Sequence, residues 1–192
     1  MDLHELFNNI HPVSNAAIAR VGERAELLTV KKGTSVIRQG EKAGVILFIR
    51  DGIFRVSHNC DGKERTFAFG IAGDPFTSVA SYRAGEPSVY SFEAEVDSTA
   101  WVMPLNSFRE LVDSDAELAR WFLTLLLDQV HAFERRGALF GGLNATRKYE
   151  KFILNRPEIF RYVPAKYIAQ YLDIAPETLS RIQASFSRTS RR

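Results

Sequence analysis

The chain has 192 residues, of which 45% are hydrophobic and 25% charged, so it falls within the range of globular proteins and is not expected to be disordered. The formal net charge is only +2, but residues 143–192 contain ten Lys or Arg and four Asp or Glu. The first 142 residues therefore carry an acidic excess, and the C-terminal part carries the cationic surface.

Cysteine usage and hydropathy restrict the class of protein further. Cys60 is the single cysteine, which excludes an intramolecular disulfide and a multi-cysteine zinc or iron–sulfur site. The first residues do not resemble a signal peptide, and apolar stretches such as 125–127 are far shorter than the roughly 20 residues that span a bilayer. We therefore expect a cytoplasmic protein without a cofactor.

The first two thirds of the chain change from helical to β-type patterning. Apolar residues at helical spacing in residues 1–24 predict a helical lead-in. Short β-rich runs with glycine-containing turns between them then lie at 26–30, 35–38, 45–50, 53–57, 65–69, 91–96 and 99–103. Many short strands at nearly even spacing indicate an antiparallel sandwich or barrel, which we assign to a domain of residues 1–113.

A long helix is predicted to follow, because Ser114 and Glu117 have the Ser-x-x-Glu spacing of a helix start. Its apolar residues lie on nearly every side, so more than one neighbour must cover it. Five positions follow the 4-3-4-3 spacing of two packed helices: Leu118, Phe122, Leu125, Gln129 and Ala132. We interpret them as the seam of a homodimer, although a helix buried within one monomer would show a similar pattern.

Paired glycines at 141 and 142 look like a hinge, so residues 114–142 are interpreted as a dimerisation helix with its hinge. The remaining residues, 143–192, form a small helical domain in this interpretation. Asn144 can cap its first helix, Pro164 suits the first turn of the next, and Pro176 starts another.

The last of these helices has two distinct faces. Leu179, Ile182 and Phe186 recur at helical spacing and should point inward. The same spacing turns Glu177, Ser180 and Arg181 to the outer face. An acceptor and a guanidinium one turn apart can address a cytosine amino group and a guanine edge in DNA.

Residues 166–182 closely resemble the helix-turn-helix of Crp/Fnr transcription regulators. In that family the second helix opens with a residue followed by Glu-Thr and has an Arg four positions after the Glu, and Glu177, Thr178 and Arg181 match this pattern. Residues 33–56 look like the first half of a cyclic-nucleotide-binding β-roll. The resemblance implies an α+β fold with an N-terminal antiparallel β-roll of double-stranded jelly-roll type, a long dimerisation helix and a helical DNA-binding domain.

The same resemblance implies partners. A homodimer would bind double-stranded DNA at an inverted repeat, and RNA polymerase and an unidentified small-molecule effector would be further partners. The candidate DNA-binding residues are Glu177, Thr178, Ser180, Arg181, Lys166 and Arg147. The last two are interpreted as contacts to phosphate.

The phosphate-binding cassette departs from the family pattern. Members that bind cyclic nucleotides have a Glu for the ribose and an Arg for the cyclic phosphate, whereas Ser78 and Ser88 occupy these positions here. Arg83 lies nearby, in a segment interpreted as a surface loop. We therefore expect cyclic AMP to bind weakly or not at all. The candidate lining for a different ligand consists of Thr77, Ser78, Ser88, Val89 and Tyr90.

A second departure is the short segment after Ile182, from which we expect the family's two-stranded wing to be missing or reduced to residues 187–192. Arg188, Arg191 and Arg192 are candidates for phosphate contacts there. The alternative function is a ligand-binding or protein-interaction module whose helix-turn-helix no longer binds DNA.

No catalytic pattern stands out in the sequence. The four histidines are scattered, and neither a nucleophile motif nor a metal-ligand set is present, so an enzyme is not expected. A haem or metal sensor built on His58 and Cys60 stays open as a minor alternative.

Overall fold

The N-terminal domain is built from two antiparallel sheets. The computed structural model describes the backbone of residues 1–189 and the side chains of residues 1–137 and 141–186. The strands are β1 Glu26–Val30, β2 Ser35–Ile37, β3 Val45–Asp51, β4 Ile53–Cys60, β5 Lys63–Ile71, β6 Pro75–Phe76, β7 Ser91–Ala94 and β8 Ser98–Pro104. They form one sheet in the order β1-β8-β3-β6 and another in the order β2-β7-β4-β5. The predicted β-roll is confirmed.

Helices precede, interrupt and follow the roll. They are α1 Leu3–Ile10, α2 Asn15–Gly22, α3 Val79–Ala84, α4 Leu105–Ser114, α5 Ala116–Gly142, α6 Ala145–Asn155, α7 Pro157–Tyr162, α8 Ala165–Leu172 and α9 Pro176–Thr189. The expected α+β class is therefore confirmed. In the described part of the chain, no helix combines the length and the apolar character that crossing a membrane requires.

Two cores hold the roll and α5 together. The facing sides of the sheets enclose one apolar core, which includes Leu47, Phe54 and Phe92. A second core lies between the β3 sheet and the helices α1, α2, α4 and α5. Trp121 is its fully buried centre, because its ring stacks on Phe7 at 4.3 Å and its indole N–H donates to the Phe7 carbonyl at 2.9 Å. The first half of α5 is thus anchored to its own chain.

The start of α5 differs from the predicted one. Asp115 caps the helix by accepting hydrogen bonds from the amides of Glu117 and Leu118, whereas Ser114 is the last residue of α4. The carboxylate of Glu117 does not close a capping box, because it accepts from the amide of Ser14 at 2.8 Å. An extra helix immediately upstream, α4, moves the cap by one residue.

The predicted dimer seam also needs correction. Leu118, Phe122 and Leu125 are buried in the second core by their own chain, so they are not available to a partner subunit. The other two seam residues, Gln129 and Ala132, are exposed. The spacing correctly predicted that Leu118, Phe122 and Leu125 are buried. They are covered by the chain's own N-terminal domain and not by a second copy.

The opposite side of α5 is apolar and exposed. Leu123, Leu127 and Val130 follow one another at spacings of four and three, and they are 56%, 60% and 56% exposed. Successive residues of a helix are turned by about 100°, so spacings of four and three place the three side chains within about 60° of one another. They therefore form a continuous stripe on one face. We call Leu123, Leu127 and Val130 the outer stripe.

Candidate functional site

The helix-turn-helix consists of α8 and α9 joined by a tight turn. Asp173 ends α8 in the left-handed region, with φ of 50°, a conformation that Asp and Asn adopt more readily than most residues. The amide of Ile174 donates back to the carbonyl of Ala169 at 3.1 Å and closes the turn. Leu179 and Ile182 are buried against Ile168 and its neighbours on α8. The inward face of α9 is therefore the one that the sequence predicted.

The outer face of α9 presents polar groups to solvent. Glu177, Ser180 and Arg181 are exposed, and Thr178 is half-buried. The Arg181 guanidinium donates to the Thr178 hydroxyl at 3.3 Å. Among the ion pairs of the described residues, none joins Glu177 to Arg181. The Glu177 carboxylate and the Arg181 guanidinium are therefore not paired with each other.

Two further cations, Lys166 and Arg147, are the candidate contacts to phosphate. Lys166 is exposed in the first turn of α8, with its ammonium 4.5 Å from the centroid of the Tyr167 ring. Arg147 is exposed in the first turn of α6, which Asn144 caps as predicted by accepting from the Arg147 amide at 3.0 Å. The side chains of Arg188, Arg191 and Arg192 lie outside the described residues.

A cavity of about 560 Å³ lies between the roll, α3 and α5. Its walls are mostly apolar and include Val56, Phe76, Phe92 and Phe122. Of the five predicted lining residues, Thr77, Ser78, Val89 and Tyr90 belong to it, whereas Ser88 does not. We call this space the roll cavity.

The hydroxyl groups near the roll cavity are used by the backbone. Ser78 caps α3 by accepting from the amide of Ser81, and Thr77 donates to the carbonyl of Val45 at 2.9 Å. Ser88 is buried and donates to the carbonyl of Tyr90 at 2.7 Å. Their hydrogen bonds stabilise turns, so the polar lining predicted from the sequence is weaker than the residue types suggested.

Two arginines lie at the edge of this cavity. Arg83 is exposed at its rim, on α3 and not in the predicted loop. Arg109 donates to the backbone carbonyls of Ser81 and Tyr82, and its guanidinium lies 5.2 Å from the Tyr82 ring centroid. Neither arginine occupies the position at which the family pattern holds a cyclic phosphate.

Arg55 connects the roll to the helix-turn-helix, and sequence reasoning missed it. It is 1% exposed on β4, and its guanidinium lies 2.6 Å from Glu95, 3.4 Å from Glu93 and 3.2 Å from Glu64. The ring of Tyr167 on α8 covers the guanidinium at 3.9 Å. Burial raises the pKa of Glu95, although the bond from Arg55 opposes the shift. The signal for Arg55 in the sequence is a single arginine between the apolar residues Phe54 and Val56 of β4.

Other contacts complete this surface between the domains. Ile53 and Phe69 of the roll share an apolar cluster with residues of α6 to α9. The Thr66 hydroxyl donates to the Gln170 side chain at 2.8 Å, and Asp74 pairs with Arg156 at 3.3 Å. The helical domain therefore rests on the outer face of β4 and β5, with the outer face of α9 still exposed.

Comparison with known proteins supports this architecture. Residues 27–115 match the family model described as the cyclic nucleotide-binding domain. FixK2 from Bradyrhizobium japonicum superposes with a TM-score of 0.75 at 20% identity, covering 86% of each chain. A protein from Eubacterium rectale, assigned as a transcriptional regulator of the Crp/Fnr family, gives 0.72 at 19% identity, covering 96% of this chain and 87% of that one.

The c-di-GMP responsive global regulator CLP from Xanthomonas campestris gives 0.68 at 11% identity, covering 92% of this chain and 93% of that one. No protein with a curated description matches the chain by sequence. At these identities the structural matches establish the fold.

Residues 27–115 of the N-terminal domain thus match the cyclic nucleotide-binding domain, and a helix-turn-helix domain follows through one long helix. Taken as a whole, the chain has the fold of the FixK2 and Crp/Fnr-family structures compared above.

Proposed function

We propose that the chain is a transcription regulator that reads a specific DNA sequence with α9. The observation that carries this proposal is the outer face of α9, where Glu177, Ser180 and Arg181 are exposed while Leu179 and Ile182 anchor the helix from behind. A guanidinium fork matches the O6 and N7 acceptors of guanine, and a carboxylate accepts from the cytosine amino group. The major groove is wide enough to admit such a helix.

Phosphate contacts would supply affinity without sequence preference. Lys166 and Arg147 are exposed cations at the first turns of α8 and α6, in the part of the chain with the cationic excess. Each phosphate neutralised by such a side chain releases condensed counterions, so binding should weaken steeply as salt rises.

Two copies of the chain would bind together, joined along α5. The outer stripe, Leu123, Leu127 and Val130, is the surface that supports this part of the proposal, because it is apolar, continuous and exposed in one chain. Two-fold symmetry would separate the two α9 helices by one turn of DNA, about 34 Å, and the operator would be an inverted repeat.

The roll cavity would respond to a ligand other than cyclic AMP. Its apolar walls, with hydroxyls already bonded to the backbone, favour an uncharged effector over a cyclic phosphate. An effector that binds one arrangement of the two domains better than another would shift the equilibrium between them.

A comparison of Arg181→Ala with Lys166→Ala tests base reading. DNA fragments retained by the protein in gel-shift assays would supply an operator, and a scrambled version of it would serve as the reference. Arg181→Ala should reduce the preference between the two DNAs by about 1–3 kcal/mol, because the guanine contact exists only on the operator. Lys166→Ala should weaken both complexes alike and flatten the salt dependence.

Two results would count against the proposal. If Arg181→Ala lowered both affinities equally, Arg181 would be a phosphate contact and not a base reader. If the unmodified chain retained no DNA in a sequence-dependent way at low or moderate salt, the alternative of a ligand-binding or interaction module would replace the regulator.

A further inference from the structure

A second cavity, of about 590 Å³, lies between the roll and the helical domain. Its walls come from β5, α5, α6, α7 and α8, and it lies next to the roll cavity, with which it shares residues of β5 and α5. Of the residues that the structure describes, five cationic side chains line it and no Asp or Glu does: Arg135, Arg136, Lys148, Lys151 and Arg156. We call this space the interdomain cavity.

Aromatic rings form much of its wall. Phe69 of β5, Phe152 of α6 and Tyr171 of α8 contact one another, with ring centroids 4.6 Å apart for Phe152 and Tyr171 and 5.5 Å apart for Phe69 and Tyr171. Across from them, Phe67 and Phe133 lie 5.3 Å apart. Flat π surfaces of this kind stack on aromatic ligands and on guanidinium groups.

The cations have different roles in the protein itself. Arg136 lies over the rings of Phe67 and Tyr171 at 4.8 and 4.7 Å, and Arg156 pairs with Asp74. Arg135 and Lys151 are exposed at the cavity, and neither has an acidic partner among the ion pairs of the described residues. A cleft lined by one sign of charge above low-dielectric walls concentrates the field that attracts a counterion.

We propose that the interdomain cavity binds an organic anion, one that combines an aromatic ring with a phosphate or carboxylate group. The ring would stack against the Phe152 and Tyr171 side of the wall, and the anionic group would meet Lys151 and Arg135. Such a ligand touches the roll, α5 and the helical domain at once. By mass action it stabilises the arrangement in which the domains are docked, and docking in turn strengthens its binding. This site does not depend on whether α9 reads DNA.

A pair of fluorescent probes tests the site. Anilinonaphthalene sulfonate carries an aromatic system and one negative charge, and phenylnaphthylamine is the same system without the charge. The full chain should bind the sulfonate saturably. The double variant Lys151→Ala/Arg135→Ala should weaken sulfonate binding by about tenfold or more, because two charge-assisted contacts are lost, and should leave phenylnaphthylamine binding unchanged.

The control is Arg147→Ala, which removes one cation from the same helix, α6, at a position outside the cavity. It should leave the binding of both probes unchanged, and Lys151→Arg should retain sulfonate binding. Displacement of the sulfonate by adenosine monophosphate or by naphthoate then distinguishes a phosphate from a carboxylate ligand. The proposal is overturned if the sulfonate does not bind, if neither anion displaces it, or if Arg147→Ala weakens it as much as the double variant does.

Discussion

At the scale of single residues, Ser78 and Ser88 occupy the sequence positions at which the family pattern has the Glu and the Arg that would hold a cyclic nucleotide in the roll cavity. A cyclic phosphate entering it would lose its hydration and find neither the Glu nor the Arg of nucleotide-binding relatives. Each missing charged hydrogen bond costs on the order of 1.5–3 kcal/mol, so we expect cyclic AMP to bind at least about a hundredfold more weakly than it binds those relatives. Titration calorimetry measures this directly, and a micromolar dissociation constant would contradict it.

The turn between β3 and β4 requires glycine at position 52. The φ of Gly52 is +108°, and a Cβ there would lie 2.0 Å from the Ser98 hydroxyl oxygen and 2.8 Å from the Ser98 Cα. Gly62 provides the matched control, because its φ is +78° and nothing lies within 4 Å of the added Cβ.

In chemical denaturation, Gly62→Ala should cost about 1–2 kcal/mol for the left-handed backbone alone. Gly52→Ala should cost at least about 2 kcal/mol more, since the added methyl also collides with Ser98. Equal losses in the two variants would mean that the backbone near Ser98 yields to the methyl group.

The role of a residue could be predicted from the sequence where local spacing determines its contacts, and not where tertiary structure determines them. The inward and outward faces of α9 follow from helical spacing alone, so Leu179 and Arg181 were assigned correctly to opposite sides. Arg55 and Ser88 were not understood, because the carboxylates and the backbone groups that they bind depend on strand pairing and turns. Such contacts are set by tertiary structure.

At the scale of secondary structure elements, the cap of α5 offers a sharp test. Asp115 accepts from two backbone amides and from the guanidinium of Arg20. Burial alone would raise the pKa of Asp115, but these hydrogen bonds outweigh burial and hold the pKa below its ordinary value of 3.8. The carboxylate therefore stabilises the fold above pH 3.8, and this contribution is lost as the pH falls through the lowered pKa.

Asp115→Ala should reduce the free energy of unfolding by about 1–2 kcal/mol at pH 7, and by less in acid. Ser114→Ala is the control, because the Ser114 hydroxyl donates within α4, to the carbonyls of Glu110 and Leu111, and we expect a loss under about 0.5 kcal/mol. Urea denaturation at two pH values measures both variants. A larger loss for Ser114→Ala would restore the helix start predicted from the Ser-x-x-Glu spacing.

The elements themselves were predictable in proportion to their length. All seven β-rich runs are strands, because alternation over several residues is a strong signal. β6, with two residues, and α3 and α7, with six each, were missed, since so few residues carry no period. α4 is the exception, because it has ten residues and was missed as well. The pattern of α5 showed that the helix is covered on several sides, but periodicity cannot tell the chain's own domain from a second copy.

At the scale of the whole molecule, the two faces of α5 have different roles. One packs in the core of its own chain, and the other is the proposed surface between two copies. Leu127 lies in the outer stripe at 60% exposure, and Leu125 is 8% exposed in the core of its own chain. Leu127→Asp should convert the proposed dimer to a folded monomer, because the charge would enter only the proposed surface between copies, where its desolvation is costly. Sedimentation velocity measures the change in mass.

Leu125→Asp, two residues away, should instead destabilise the fold by about 3 kcal/mol or more, because it buries a carboxylate in an apolar core. Thermal unfolding of the two variants gives the contrast. If Leu127→Asp sedimented as a dimer, the outer stripe would not be the surface on which the two copies meet.

The roll cavity and the interdomain cavity are adjacent, since Phe67, Gln129 and Phe133 line both. If the Phe133 ring moved so as to widen one of the two cavities, it would narrow the other. Two occupants would then compete without ever touching, and each would lower the affinity of the other by the same factor. One small protein could in this way report which of two chemically unlike metabolites prevails, and not merely the amount of either.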